Sequence, residues 1–144
     1  MIDLPPEPVP MLMPVTALCV QAHAKTYALH PDVLWAILIV EGGTVGEKTD
    51  NSNGTFDSGP AQINSIHLDD LKALGITEES LLNDGCVNVR AQAHILKSKV
   101  INTTVKTEED YLLALARFHS TTPKHAKRYA NKLKEAFTLL YKGN

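Results

Sequence analysis

The 144-residue sequence predicts an all-α fold, mainly helical with at most a small hairpin, and three observations carry that prediction. Apolar residues recur at helical spacing, as Val89, Ala93, Leu96 and Val100 do. Helix start and stop residues bracket the apolar stretches, with Pro near their starts and Gly near their ends. Turn-forming residues, by contrast, gather in one segment, residues 42–64. With no internal repeat and no low-complexity tract, the chain reads as an extended Pro-rich arm over residues 1–13 and one domain over 14–144.

The elements follow in order. Pro14 is placed to open a first helix through "VTALCVQAHAKTYAL", which holds good helix formers and no breaker. "HPDVLWAILIVEGG" repeats the grammar, with Pro31 at the first helical position and Gly42-Gly43 as the stop. The next segment, "GGTVGEKTDNSNGTFDSGPAQIN", is a long ordered loop or a small hairpin around Asn53-Gly54, and long loops inside a compact domain usually carry function. Ser65 is read as the cap of a short helix closed by Gly75, followed by a "TEESLL" turn and a helix over "CVNVRAQAHILKSKVI". Thr107 with Asp110 fits a capping box for "EEDYLLALARFH", and "KHAKRYANKLKEAFTLLY" closes the chain as an amphipathic helix.

Composition excludes several function classes. Hydrophobic residues are 44%, charged residues 21% and the formal net charge is −2, so nothing favours nucleic acid as a partner. The longest apolar run, Val33 to Val40, is far short of a membrane span. The six histidines show no metal-ligand spacing, and phosphate loops and serine elbows are absent, so no metal or cofactor is expected. The basic stretch "KHAKRYANKLK" reads as a solvated helix face. No signal peptide is legible in "MIDLPPEPVPMLMP", which leaves a natural cytosolic start or a removed leader. The two cysteines, Cys19 and Cys86, lie far apart and read equally as buried thiols or as a pair.

One residue stands out chemically. Glu41 ends an otherwise apolar helix, where lost hydration and the negative helix terminus both favour its neutral form. A carboxyl that stays protonated near neutral pH suits a general acid, although a helix-end glutamate pointing to water is the plainer reading of position alone. Downstream, "DSGPAQIN" offers the amides of Gln62 and Asn64, and Gly59-Pro60 allows close backbone approach. Such groups suit a glycan, and they are also common turn chemistry.

Glu41-Gly42-Gly43, then "SNGTFDSGPAQINSIHL", "CVNVRAQAHIL" and "ALARFHSTTPKHAKRYANKL", together resemble the specialised lytic transglycosylases of bacterial secretion and conjugation systems. The resemblance runs from about Thr16 to Leu133 and implies a goose-type lysozyme or lytic transglycosylase fold. Family members usually carry Ser after the catalytic Glu, where this chain has Gly42. Their Gly-Leu-Met-Gln-Ile-Asn signature appears as "GPAQIN", keeping Gly59, Gln62, Ile63 and Asn64. Phe118 and His119 stand where Tyr and Asn are common, and Tyr129 matches the tyrosine that faces the acid.

The resemblance implies a peptidoglycan lytic transglycosylase with Glu41 as its catalytic residue and Gly59, Gln62, Ile63, Asn64, His119 and Tyr129 at the substrate. One carboxyl suffices for that chemistry, since it serves first as acid and then as base for an internal ring closure. Cys19 and Cys86 match cysteines of the secretion branch, which implies a disulfide, a periplasmic location and a leader removed from this chain. The implied partners are peptidoglycan strands and components of a secretion or conjugation apparatus, with the protein acting as a monomer. A hydrolytic goose-type muramidase and a catalytically weak peptidoglycan-binding scaffold stay open as alternatives. Tyr129 is either a tuning partner of Glu41 or a core tyrosine, and His119 either touches substrate or caps a helix. Asp50 and Asp57 are the nearest further acids, with Asp57 read as a turn residue; either one reaching the sugar would favour hydrolysis.

Overall fold

A computed structural model of the chain describes residues 3–4, 9–100 and 104–142. In chain order it contains α1 (Ala17–Thr26), α2 (Pro31–Glu41), β1 (Lys48–Asp50), β2 (Phe56–Ser58), β3 (Ile63–Asn64) and a 3-10 turn (Ser65–His67). There follow α3 (Leu68–Lys72), α4 (Glu78–Asn83), α5 (Gly85–Val100), α6 (Glu108–Ala116) and α7 (Pro123–Lys142). The architecture is the expected mainly-α, lysozyme-like one, with a small antiparallel sheet inserted after α2.

The larger apolar cluster joins α2, α5, α6 and α7 through Leu34, Ile37, Val89, Leu96, Leu115 and Leu133. The smaller one, with Ile63, Leu71, Ile76, Leu81 and Ile95, lies under the sheet and the short helices. Leu38 and Phe118 pack against both clusters and link them. Helix α2 is apolar on nearly every side and packs most of its length into the core, with Ile39 left exposed, so it carries no amphipathic signal. Gln92, buried on α5, donates from Nε2 to the backbone oxygen of Leu34 at 3.0 Å and couples α5 to α2.

Several elements differ locally from the sequence reading. Helix α1 begins at Ala17 rather than Pro14, because Thr16 Oγ1 accepts from the Cys19 N–H at 3.2 Å and Met13 is held extended beside Asp84. The expected arm over 1–13 lies partly outside the described residues, and of the described part Met13 is tied on both sides, to Asn83 and Gly85. Asn64, not Ser65, caps the next helical turn, its Oδ1 accepting from the Ile66 N–H at 3.0 Å. The Ser65 hydroxyl instead accepts from the Phe56 N–H at 3.1 Å. "TEESLL" forms the helix α4 through a capping box between Thr77 and Ser80. Around Asn53-Gly54 the expected hairpin forms between β1 and β2, and a third strand, β3, pairs Asn64 with Asp57. A disulfide joins Cys19 of α1 to Cys86 of α5 across 67 residues of sequence. Among the described residues no helix is long and apolar enough to cross a membrane.

Candidate active site

Glu41 is the last residue of α2, and its place follows from how that helix begins and ends. Pro31 occupies the first turn, where a missing N–H costs nothing, and Gly42 adopts the left-handed conformation, φ 61°, that stops the helix. The preceding turns are pinned in the core, so the Glu41 side chain emerges only partly into solvent. Burial raises its pKa from an ordinary carboxyl value to about 7, and the negative charge of Asp57 pushes the same way. The hydrogen bond from Tyr129 and the charge of Lys132 oppose that rise without cancelling it.

Tyr129, at 4% exposure, comes from α7 and donates its hydroxyl to Glu41 Oε2 at 3.1 Å. With Oε2 accepting, the acid proton belongs on Oε1. Burial and the neighbouring carboxyl push the Tyr129 hydroxyl far above the usual phenol range, so it stays a donor. The His119 ring stacks on Tyr129, with centroids 4.7 Å apart and planes within 6°. Its pKa is lowered by burial first, then by the nearby Lys132 and His125.

The opposite wall is the polar loop, and its clamp is Asn88. That side chain is fully buried and fully paired: Nδ2 donates to the carbonyls of Ser58 and Leu81, both at 2.9 Å, and Oδ1 accepts from the Ala61 N–H at 2.8 Å. The turn it holds then meets the end of α2, where the Gly43 N–H donates to Pro60 at 3.2 Å. A Cβ on Gly43 would sit 2.0 Å from the Gly59 carbonyl oxygen, so only glycine permits this approach. Gln62 is held at φ 53°, a left-handed conformation that costs a non-glycine residue about 1 kcal/mol and that the surrounding bonds enforce.

Between the two walls runs a groove of about 310 Å³. It gathers Glu41, Gln62, Ile63, Asn64 and His119, five of the seven residues singled out for catalysis and binding in the sequence. The other two sit elsewhere. Tyr129 lies behind Glu41 and borders a second recess, while Gly59 is buried at the pivot of the loop. A Cβ on Gly59 would come within 2.4 Å of Asn88 Nδ2, so packing alone requires a glycine there. Asn64 faces the groove but is occupied, its Nδ2 donating to Asp57 Oδ1 at 3.0 Å and to Thr55 Oγ1 at 3.2 Å.

Asp57 is not a turn residue. It lies within β2, opposite Thr49 and Asn64, and contributes its side chain to the groove wall. Asp50 is exposed at the end of β1 and borders no part of the groove. Asn51, His67 and Phe118 also line it, and sequence reasoning gave the first two no role. It also missed Asn88 as a clamp, although a signal was present: Asn88 and Gln92 are four apart amid Val89, Ala93 and Leu96, hence polar on a buried helix face. Among the described residues no group of three His, Cys, Asp or Glu could hold a metal ion.

No family model matches the chain. The invasion protein IagB of Salmonella typhimurium strain SL1344 is 32% identical over 124 residues, covering 81% of this chain and 72% of that protein. IagB of Salmonella typhi shows the same identity and coverage. A peptidoglycan-binding-like protein of Escherichia coli O157:H7 is 31% identical over 86 residues, which is 54% of this chain and 52% of the relative. At that identity and coverage, the chain belongs to the family of the invasion protein IagB.

Proposed function

We propose that the protein is a lytic transglycosylase that cleaves the β-1,4 bond between N-acetylmuramic acid and N-acetylglucosamine in peptidoglycan. The observation that carries this reading is Glu41, a carboxyl raised to about 7 and opening on a groove lined by amides. Protonated Glu41 gives its proton to the glycosidic oxygen as the C1–O bond breaks, and the glucosamine leaves as an alcohol. The carboxylate then takes the proton of the muramyl C6 hydroxyl while O6 bonds to C1. A 1,6-anhydromuramyl end forms, Glu41 is protonated again and no water is consumed. Tyr129 holds Oε2 throughout, so the proton traffic stays on Oε1.

The name of one relative, a peptidoglycan-binding-like protein, supports a cell-wall setting. The Cys19–Cys86 disulfide supports an oxidising compartment, so the enzyme works outside the cytoplasm, in the periplasm, opening the wall locally for a secretion or conjugation apparatus.

A second reading has its own observation. Asp57 shares the groove with Glu41, and a second carboxylate is what a hydrolytic muramidase needs. Mass spectrometry of peptidoglycan digested by the purified protein separates the two. Anhydromuramyl ends that fall about 10²- to 10⁴-fold in Glu41→Gln are the expected result. Reducing ends, lost in Asp57→Asn as well, would replace the transglycosylase with a hydrolase. Equal release by wild type and Glu41→Gln would remove Glu41 from catalysis, and no release by wild type would leave a binding scaffold.

A further inference from the structure

Glu41 separates two unlike spaces. On the loop side lies the amide-lined groove with Asp57 in its wall. On the α7 side lies a smaller recess of about 180 Å³, where Glu41 and Tyr129 meet His119, His125, Arg128 and Lys132. Residues 125, 128, 129 and 132 follow the i, i+3, i+4, i+7 spacing, so they share one face of α7. Tyr129 aims that face at the reacting carboxyl through its hydrogen bond to Oε2.

The cations there have no acidic partner among the described residues. Among the described residues neither Arg128 nor Lys132 forms an ion pair, whereas Lys48 is matched to Glu78 at 2.8 Å. Glu41, the sole acid on the recess wall, is half neutral near pH 7 and cannot balance them. The hydroxyl and acetamido groups of the sugars carry no charge, so positive groups, which attract anions, call for a carboxylate elsewhere on the strand. In peptidoglycan the muramyl residue carries, through its lactyl group, a peptide stem whose free ends and side chains are carboxylates.

We propose that the recess formed by His125, Arg128 and Lys132 beside Glu41 is a carboxylate-binding subsite for the peptide stem of the muramyl residue. The protein thereby selects strands whose stems keep free carboxylates over strands whose stem carboxylates are masked. This specificity rests on the peptidoglycan reading above and deepens it. Arg128 presents a planar fork suited to a carboxylate, and Lys132, one turn further along α7, adds a second charge. All three side chains are solvent-exposed, so the gain is that of screened surface ion pairs.

The test compares cleavage of two substrates by wild type, Arg128→Ala/Lys132→Ala and the charge-conserving Arg128→Lys/Lys132→Arg. The substrates are stem-bearing strands and the same strands with their stem carboxylates converted to amides. Wild type should favour the strands with free stem carboxylates in kcat/KM by about three- to tenfold, the size of one or two exposed ion pairs. The preference should fall towards one in the alanine variant and persist in the charge-conserving one. Equal preference in wild type and the alanine variant, or no preference for carboxylates over amides, overturns the subsite.

A protein that cleaves nothing would instead overturn the enzymatic reading. The recess is then tested directly, by titrating Glu41→Gln protein with a soluble muramyl peptide and with its amidated form. Equal affinity for the two rejects the subsite, and weaker binding of the amidated form, abolished by Arg128→Ala/Lys132→Ala, upholds it.

Discussion

The two walls of the groove are built from different physics. On the helical wall, α2 and α7 place Glu41 and Tyr129 by burying apolar turns in the larger cluster, and the Cys19–Cys86 bridge staples α1 to α5 in the same half of the molecule. On the loop wall, the strands are two or three residues long and β1 is exposed throughout, so apolar burial is confined to its base, at Ala61 and Ile63. Hydrogen bonds around Asn88 and glycine-only approaches at Gly43 and Gly59 set its shape instead. The difference suits the tasks. A general acid must lose water to stay protonated, which a buried helix end provides, whereas reading a sugar takes exposed amides, which only a polar loop supplies.

Three experiments can break that contrast, taken from the largest expected effect to the smallest. Replacing both thiols, Cys19→Ser with Cys86→Ser, frees a 67-residue loop in the unfolded chain and should cost about 4 kcal/mol, or roughly 10 °C in melting temperature. Activity below the melting transition should survive, since the bridge touches neither wall. A melting temperature unmoved by the double substitution would mean that the helical half needs no staple.

Asn88→Ala should cost about 3 kcal/mol, because it leaves the Ala61 N–H and the Ser58 and Leu81 carbonyls buried without this partner. Unlike the cysteine variant, it should also raise KM for glycan strands, since Gln62 loses the turn that positions it. Full stability with wild-type KM would show that the loop wall holds itself together.

Tyr129→Phe is the mildest, with a loss of about 1 kcal/mol for one hydrogen bond. Its useful readout is pH. The acid form of Glu41 is the active one at the first step, so kcat/KM should fall as pH rises through about 7. The Tyr129 hydroxyl favours the carboxylate and lowers the pKa of Glu41, so its removal should move the falling limb to higher pH. A limb that stays put would show that Tyr129 does not act on Glu41, and one that moves down would show that it favours the acid rather than the carboxylate.

Much of this was legible beforehand, for reasons visible in particular residues. Glu41 could be found because Pro31 and Gly42-Gly43 bracket an unbroken apolar run, and the capping box of Thr107 with Asp110 gave the start of α6. The disulfide followed from where Cys19 and Cys86 fall in the family resemblance, not from their spacing. Asp57 was misread because "FDSG" is turn chemistry locally, and only its pairing across the sheet with Asn64 makes it a strand residue. The packing need for Gly59 was not legible either, since its missing Cβ makes room for Asn88, far along the chain.

Sequence by itself determined the helices, their ends and the acid at the close of α2, because periodicity, caps and breakers act within a few residues of one another. Tertiary structure alone decided what faces that acid. The approach of Tyr129 from 88 residues away, the clamp of Asn88 on the loop and the recess that sets Arg128 and Lys132 beside Glu41 all depend on contacts between distant segments. The pKa of Glu41 is set there too, since burial is a property of the packed chain and not of the residue that carries the proton.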